Sequence, residues 1–444
     1  MAMLQPSSKL VVCFLLCLAV AVCCCFRLQA APVVVITNLP AYGTTDTLKG
    51  FVLGANPATE SVAVFIYVPG CGWVSKPFCS PQLTTIQANG SWSANITTGG
   101  SGDTTATRVA VLLVSNTYNQ PCVVCSNTLP TNIYVLAIAK AVVTRPSPGV
   151  RFLSFSGYDW WLKNSGGLVG PGPNYFSDFT NNVWTDTNGW LHLRITHRSN
   201  TWQCAEIVSA RTFGPGNYRY ELNSAVDAIN TNATLGLFTW SDDPAFTDRE
   251  IDVEGGRWEN PADTNNAQFV VQPYYAANHL VRYRVPPGLT NSTHLYVWET
   301  NRISYQAQTG AYSAAATNLI SSYVFTNTAD VPASGDENVR LNLWLVNGDH
   351  PTDSNEVEVI IKSFNFVPLG TAPGVVLGNV RVAAASQFHC DLNVQPDFHY
   401  AVQTSSNLVQ WQQQASLLAT NATLSFADTN TATRARFYRI VTLP

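Results

Sequence analysis

Charge is what this chain has least of. Only 12% of its 444 residues are Asp, Glu, Lys or Arg, about half the usual share. There is no basic patch, no zinc-finger spacing and no Gly-rich phosphate loop. With a formal net charge of -4 and a pI near 6.0, nothing in the chain attracts nucleic acid or an anionic membrane surface. His192, His197, His279 and His294 are scattered, and none falls in an H-E-x-x-H pattern. The absence of G-x-S-x-G and of any Cys/His constellation sets aside the common nucleophilic hydrolases. Helix-length amphipathic patterns are missing as well, which argues against an α/β fold.

What is present is apolar and uncharged-polar. Hydrophobic residues make up 46%, so the polar surface must come from Thr, Asn, Ser and Gln, a composition suited to an extracellular β-rich protein. Lys9 precedes an apolar run over residues 10–26, followed by the small Ala30 and Ala31. This reads as a secretory signal, residues 1–31. A retained N-terminal anchor is the lesser alternative. A lipoprotein signal is weaker still, because Val22 stands before Cys23. The expected location is secreted or cell-surface, with membrane contact only through an uncleaved anchor. Beyond the signal, Cys71, Cys79, Cys122 and Cys125 predict two disulfides of open connectivity. A zinc site on Cys122 and Cys125 is the alternative, disfavoured by the spacing of Cys71 and Cys79. Cys204 and Cys390 have no evident partners.

Residues 32–146 alternate apolar and polar residues between turn clusters and predict an immunoglobulin-like β-sandwich. Trp73 and Trp92 there are core or sugar-binding candidates, and the module reads as a spacer or a carbohydrate binder. "TRPSPG" at 144–149 reads as a linker. Residues 147–369 form a second all-β block, with strand candidates such as "WLHLRIT", "GNYRYELN", "ATLGLFTW" and "AQFVVQPYY". "LGTAPG" at 369–374 reads as another linker, and residues 375–444 as a small β-module. Sequons stand at Asn89, Asn95, Asn232, Asn291 and Asn421.

In this charge-poor chain, "EIDVE" at 250–254 sets Glu250, Asp252 and Glu254 at intervals of two. Alternation along a strand puts all three on one face. Like charges so placed repel and cost stability without a use. An ordinary solvated acidic face is the competing explanation. Aromatics crowd the flanks: Trp240, Phe246, Trp258, Tyr274 and Tyr275. Retaining glycoside hydrolysis wants such an arrangement. One carboxylate attacks the anomeric carbon and a second donates the leaving group's proton, with their oxygens roughly 5–5.5 Å apart. An extended strand sets i and i+4 about 13 Å apart at Cα, so curvature and leaning side chains must close the gap. The middle Asp hydrogen-bonds the nucleophile and tunes the pair.

"EIDVE" resembles the signature of glycoside hydrolase family 16, the lichenase and laminarinase family with a concanavalin-type β-jelly roll. The neighbouring "QCAEIVSARTFGPGNYRYEL", "GLFTW", "AQFVVQPYY", "THLYVWETNRISYQ" and "VRLNLWLVNG" follow in the family's order. The resemblance covers roughly residues 150–369. It implies Glu250 as nucleophile, Asp252 as its helper and Glu254 as acid/base. It also implies sugar-binding roles for Glu206, Trp240, Gln268, Asn342 and Trp344. Arg249 departs from the Gly or Asp common before the first Glu. A cation there would depress the nucleophile's pKa or pair with Asp248. Val270 replaces a polar residue of lichenases, and His294 matches a structural position. No cofactor is expected, and the family's structural calcium finds no matching ligands. The implied protein is an all-β, monomeric, exported endo-β-glycosidase acting on a polysaccharide such as a β-glucan. A transglycosylase on the same scaffold and a non-catalytic lectin or adhesin are the alternatives.

Overall fold

The computed structural model describes residues 32–79, 83–243, 249–313, 315–369, 375–383, 387–394, 399–406, 410–419, 423–429 and 436–443. The expected signal, Phe246, Asp248, Asn421 and most of the 369–374 linker lie outside these. The fold is all-β, as the alternation predicts. Among the described residues no helix is long and apolar enough to cross a membrane.

The central block is a jelly-roll sandwich of two antiparallel sheets. One sheet runs in the order Phe152–Phe155, Tyr158–Leu162, Thr201–Thr212, Asn338–Leu345, Ala233–Trp240, Ile251–Gly255, Ala267–Val271 and Leu280–Tyr283. The facing sheet runs Val183–Thr185, Leu191–Arg198, Val357–Pro368, Gly216–Asn223, Asn291–Trp298, Ile303–Thr309 and Leu319–Phe325. Period-two patterning sends Ile207, Leu235, Leu237, Ile251, Val253, Leu341 and Leu343 inward. There they meet Tyr218, Tyr220, Tyr296, Tyr305, Ile361 and Phe364 from the other sheet. Tyr218 and Tyr296 stack with centroids 4.7 Å apart. The outward residues of the first sheet are left to build a site.

The N-terminal part has a three-stranded sheet, Val33–Asn38, Leu48–Leu53 and Ser91–Ala94. It packs on a second sheet of Glu60–Val68, Gly72–Lys76, Leu83–Thr85, Arg108–Ser115 and Ala139–Thr144. Cys71 pairs with Cys125 and Cys79 with Cys122, so neither Cys122 nor Cys125 is left as a zinc ligand. Cys204 and Cys390 are free and buried. Trp73 and Trp92 are buried too and offer no ring face to a sugar. One short helix, Thr131–Leu136, interrupts the expected all-strand pattern. Within the stretch read as a linker, Arg145 is buried and donates to the carbonyls of Ala106 and Thr104. The C-terminal part forms two three-stranded sheets around Leu392, Tyr400, Val402 and Phe426.

Candidate active site

Antiparallel register lines up one row of side chains across the first sheet. Glu206 stands opposite Asn342, Asn342 opposite Gly236, Gly236 opposite Glu254, Glu254 opposite Gln268, and Gln268 opposite Arg282. The next row places Arg340, Phe238, Asp252 and Val270 side by side. Asp252 and Glu254 therefore share the face predicted for them. Glu250 differs slightly, standing one residue ahead of the strand Ile251–Gly255. Its carbonyl still joins the ladder, accepting from the Gln272 amide at 3.2 Å, and its side chain is half-buried.

The three carboxylates sit in unlike surroundings. Asp252 is buried, and burial raises its pKa well above the usual carboxylate range. The charges of Glu250 and Glu254 push the same way, and so does a hydrogen bond to Glu250. The Gln272 amide, 3.4 Å from Oδ2, opposes them. Glu254 is half-buried, and burial lifts it to about 7, against the pull of Gln268 and Arg282. Gln268 Nε2 donates to Glu254 Oε2 at 2.6 Å. Arg282 Nη1 donates to Gln268 Oε1 at 3.2 Å, which fixes the amide so that its nitrogen faces the acid. Arg282 is itself held by Asp263, by the Asn265 carbonyl and by the face of Trp258, 4.3 Å away.

Glu206 is no surface residue. It is 1% exposed and takes Lys163 at 3.0 Å, Arg340 at 3.3 Å and Asn342 at 3.4 Å. Between Asn342 and Glu254 the row needs Gly236, because a Cβ there would fall 2.4 Å from Asn342 Oδ1. That oxygen is buried and has no hydrogen-bond partner among the described residues. It lies in the same row as Glu254. Trp240 and Trp344 are half-buried and flank this floor on two of its strands. Tyr274 and Tyr275 are exposed, beside Gln272. His294 is a core residue bonded to Tyr283 and Ser292, and burial pushes it down to about 4.

The sequence did not single out Lys163, Arg340, Arg282 or Gln272. Gln272 was within reach, since Gln268, Val270 and Gln272 repeat the interval of two seen at 250, 252 and 254. The pairing expected between Arg249 and Asp248 falls on a residue outside the described ones. The buried side chain of Arg249 also faces Asp336, 4.0 Å away, and the ring of Tyr134. Among those residues no cluster of His, Cys, Asp or Glu is placed to hold a metal.

No family model matches the sequence, and no curated protein matches it. Among solved structures, the chain is similar to the β-glucanase of Bacillus licheniformis, at 18% identity over 50% of this chain and 99% of that one, with a TM-score of 0.38. A β-1,3-1,4-glucanase (lichenase) from a mouse hindgut metagenome gives 20%, 50%, 99% and 0.38 for the same quantities. A pseudo-β-1,3-glucanase of Mycobacterium tuberculosis gives 17%, 49%, 90% and 0.36. Such values leave the chemistry to be argued from the carboxylates themselves.

Proposed function

We propose that this protein is a retaining endo-β-glycosidase that cuts internal linkages of a polysaccharide, a β-glucan being the first candidate. The observation that carries this reading is the division of protonation within the triplet. Burial, with a hydrogen bond to Glu250, raises Asp252 well above the usual carboxylate range, and burial lifts Glu254 to about 7. Two carboxylates driven into different roles by their surroundings are what acid and nucleophile require.

In the first step a Glu250 oxygen attacks the anomeric carbon and the C–O bond to the leaving sugar breaks. The proton of Glu254 goes to the departing oxygen. In the second step Glu254, now a carboxylate, takes a proton from water. The water oxygen bonds to the anomeric carbon, and the ester to Glu250 breaks, regenerating both groups. Asp252 steadies Glu250 through the hydrogen bond between them. The cations of the cleft already have partners: Lys163 and Arg340 pair with Glu206, and Arg282 with Asp263. This favours a neutral glycan over a uronate or sulfated one. Trp240 and Trp344 offer apolar faces for sugar C–H groups, with Asn342 in the floor between Glu206 and Glu254. The paired cysteines support an oxidising compartment, hence a secreted or surface location.

The test is reducing-end release from mixed-linkage β-glucan, β-1,3-glucan, xyloglucan and galactans, with the anomer of the first product read by NMR. Release with retained configuration is expected. No release from any of them, with binding intact, would leave a transglycosylase or a lectin, which an oligosaccharide-acceptor assay separates.

A further inference from the structure

The N-terminal sandwich does not hang beside the central one. Val143, on its last strand, pairs with Arg211 of Thr201–Thr212, the strand that carries Glu206. Val142 N reaches Thr212 Oγ1 at 3.4 Å. The tightest junction lies next to the carboxylates. Arg108, from the strand Arg108–Ser115, crosses to Asp336 at 2.7 Å, and that carboxylate is fully buried. Asp336 also takes the Ser241 hydroxyl at 2.6 Å and faces Arg249 at 4.0 Å. Ser241 follows Trp240, and Arg249 precedes Glu250. One buried carboxylate thus gathers both residues that bracket the stretch between the site's Trp240 and Glu250. Tyr134 of the N-terminal helix packs its ring 5.2 Å from the Arg249 guanidinium. Gly335 leaves the room for it, since a Cβ there would fall 1.3 Å from Nη1.

We propose that the N-terminal sandwich is part of the catalytic unit, with Arg108 a positioning residue that acts through Asp336 and Arg249 on the placement of Glu250. The proposal rests on the reading of Glu250 as nucleophile. A buried carboxylate must be paired. While Arg108 supplies the close cation, Arg249 stands off at 4.0 Å and residue 250 keeps its place. Without Arg108, Arg249 at 4.0 Å is the cation nearest to hand, with the charge of Lys140 also felt at Asp336. Closing on Asp336, Arg249 draws the adjoining backbone of Glu250 away from Asp252. A shift of about 1 Å at a reacting group costs on the order of a hundredfold in rate.

The test compares full-length wild type with Arg108→Met, Arg108→Lys and Asp336→Asn. It reads kcat, KM and amide hydrogen exchange over residues 249–255, with residues 291–298 as an internal control. For Arg108→Met, kcat should fall at least tenfold with KM within twofold, and exchange should rise over 249–255 alone. Arg108→Lys should recover most of both. An Arg108→Met variant that matches wild type in kcat and exchange overturns the proposal. If that variant does not fold, the other two decide: wild-type kcat and exchange in Asp336→Asn overturn it equally. If wild type neither releases nor transfers sugar, the reading of Glu250 fails. Exchange over 249–255 then settles the positioning by itself, with no change in Arg108→Met refuting it.

Discussion

Replacing Gln268 by Met tests the acid's environment directly. The substitution keeps side-chain length and removes the donor that faces Glu254 Oε2 at 2.6 Å. A hydrogen bond to a charged group contributes about 1.5–3 kcal/mol, and one pKa unit corresponds to about 1.4 kcal/mol. Loss of the bond should therefore lift Glu254 from about 7 by about one to two units. Glu254 must be protonated for the first step, so kcat/KM falls as pH rises through its pKa. In the variant this basic limb moves to higher pH. Arg282 is the group that could reverse the sign, by swinging onto the vacated carboxylate. It is pinned by Asp263, by the Asn265 carbonyl at 2.8 Å and by the Trp258 ring, so it should stay. Arg282→Met should move the limb in the same direction, because it removes a cation and frees the Gln268 amide to turn. A basic limb that stays put or moves down in Gln268→Met would refute the reasoning about Glu254.

Glu250→Gln should reduce turnover below about one thousandth while glycan binding by calorimetry or affinity gel is kept; retained turnover would remove Glu250 from the nucleophile's role. Asp252→Asn keeps a donor toward Glu250 but removes an exchangeable acid, so kcat should fall by about ten- to a hundredfold, read with KM on the same glucan. Glu254→Gln should stabilise the fold at pH 8. A carboxyl raised from its ordinary 4.5 to about 7 costs nothing below pH 4.5, where both states are protonated. It costs increasingly up to pH 7, by about 3.4 kcal/mol in full. Urea melts of both proteins at pH 4 and pH 8 check this, and an equal difference at the two pH values would contradict it. Gly236→Ala should destabilise by about 1–3 kcal/mol and raise KM, since the new methyl displaces the Asn342 amide.

Strand periodicity made the sheet legible, and with it the shared face of Asp252 and Glu254. The same rule, applied at 268, 270 and 272, would have exposed Gln272. Partners that arrive from distant strands were not legible. Arg340 meets Glu206 only because Asn338–Leu345 inserts between Thr201–Thr212 and Ala233–Trp240, an order no local pattern encodes. The two disulfides were foreseeable as a set and their pairing was not, because spacing alone permits every connectivity.

Scarcity of charge proved the most useful signal, for a physical reason. A charge that must be desolvated is kept only where something compensates it. In a chain with few charges to spare, the buried ones mark places where compensation has been built. Lys76, Asp103, Arg145 and Asp428 are buried in the flanking parts, and Glu206, Asp243, Arg249, Asp252, Asp336, Glu337 and Arg340 in the central block. In that block, one line of contacts runs from Glu206 on the cleft floor to Asp336 at the junction with the N-terminal sandwich. Each end of that line constrains the other. Arg340 links Glu206 to Asp242, and Asp242 adjoins Ser241, which donates to Asp336. The cleft and the junction therefore share one electrostatic framework. A substitution at the junction should be felt at the glycan and one on the far sheet should not, which is the contrast that the Arg108 variants and the 291–298 control are set to measure.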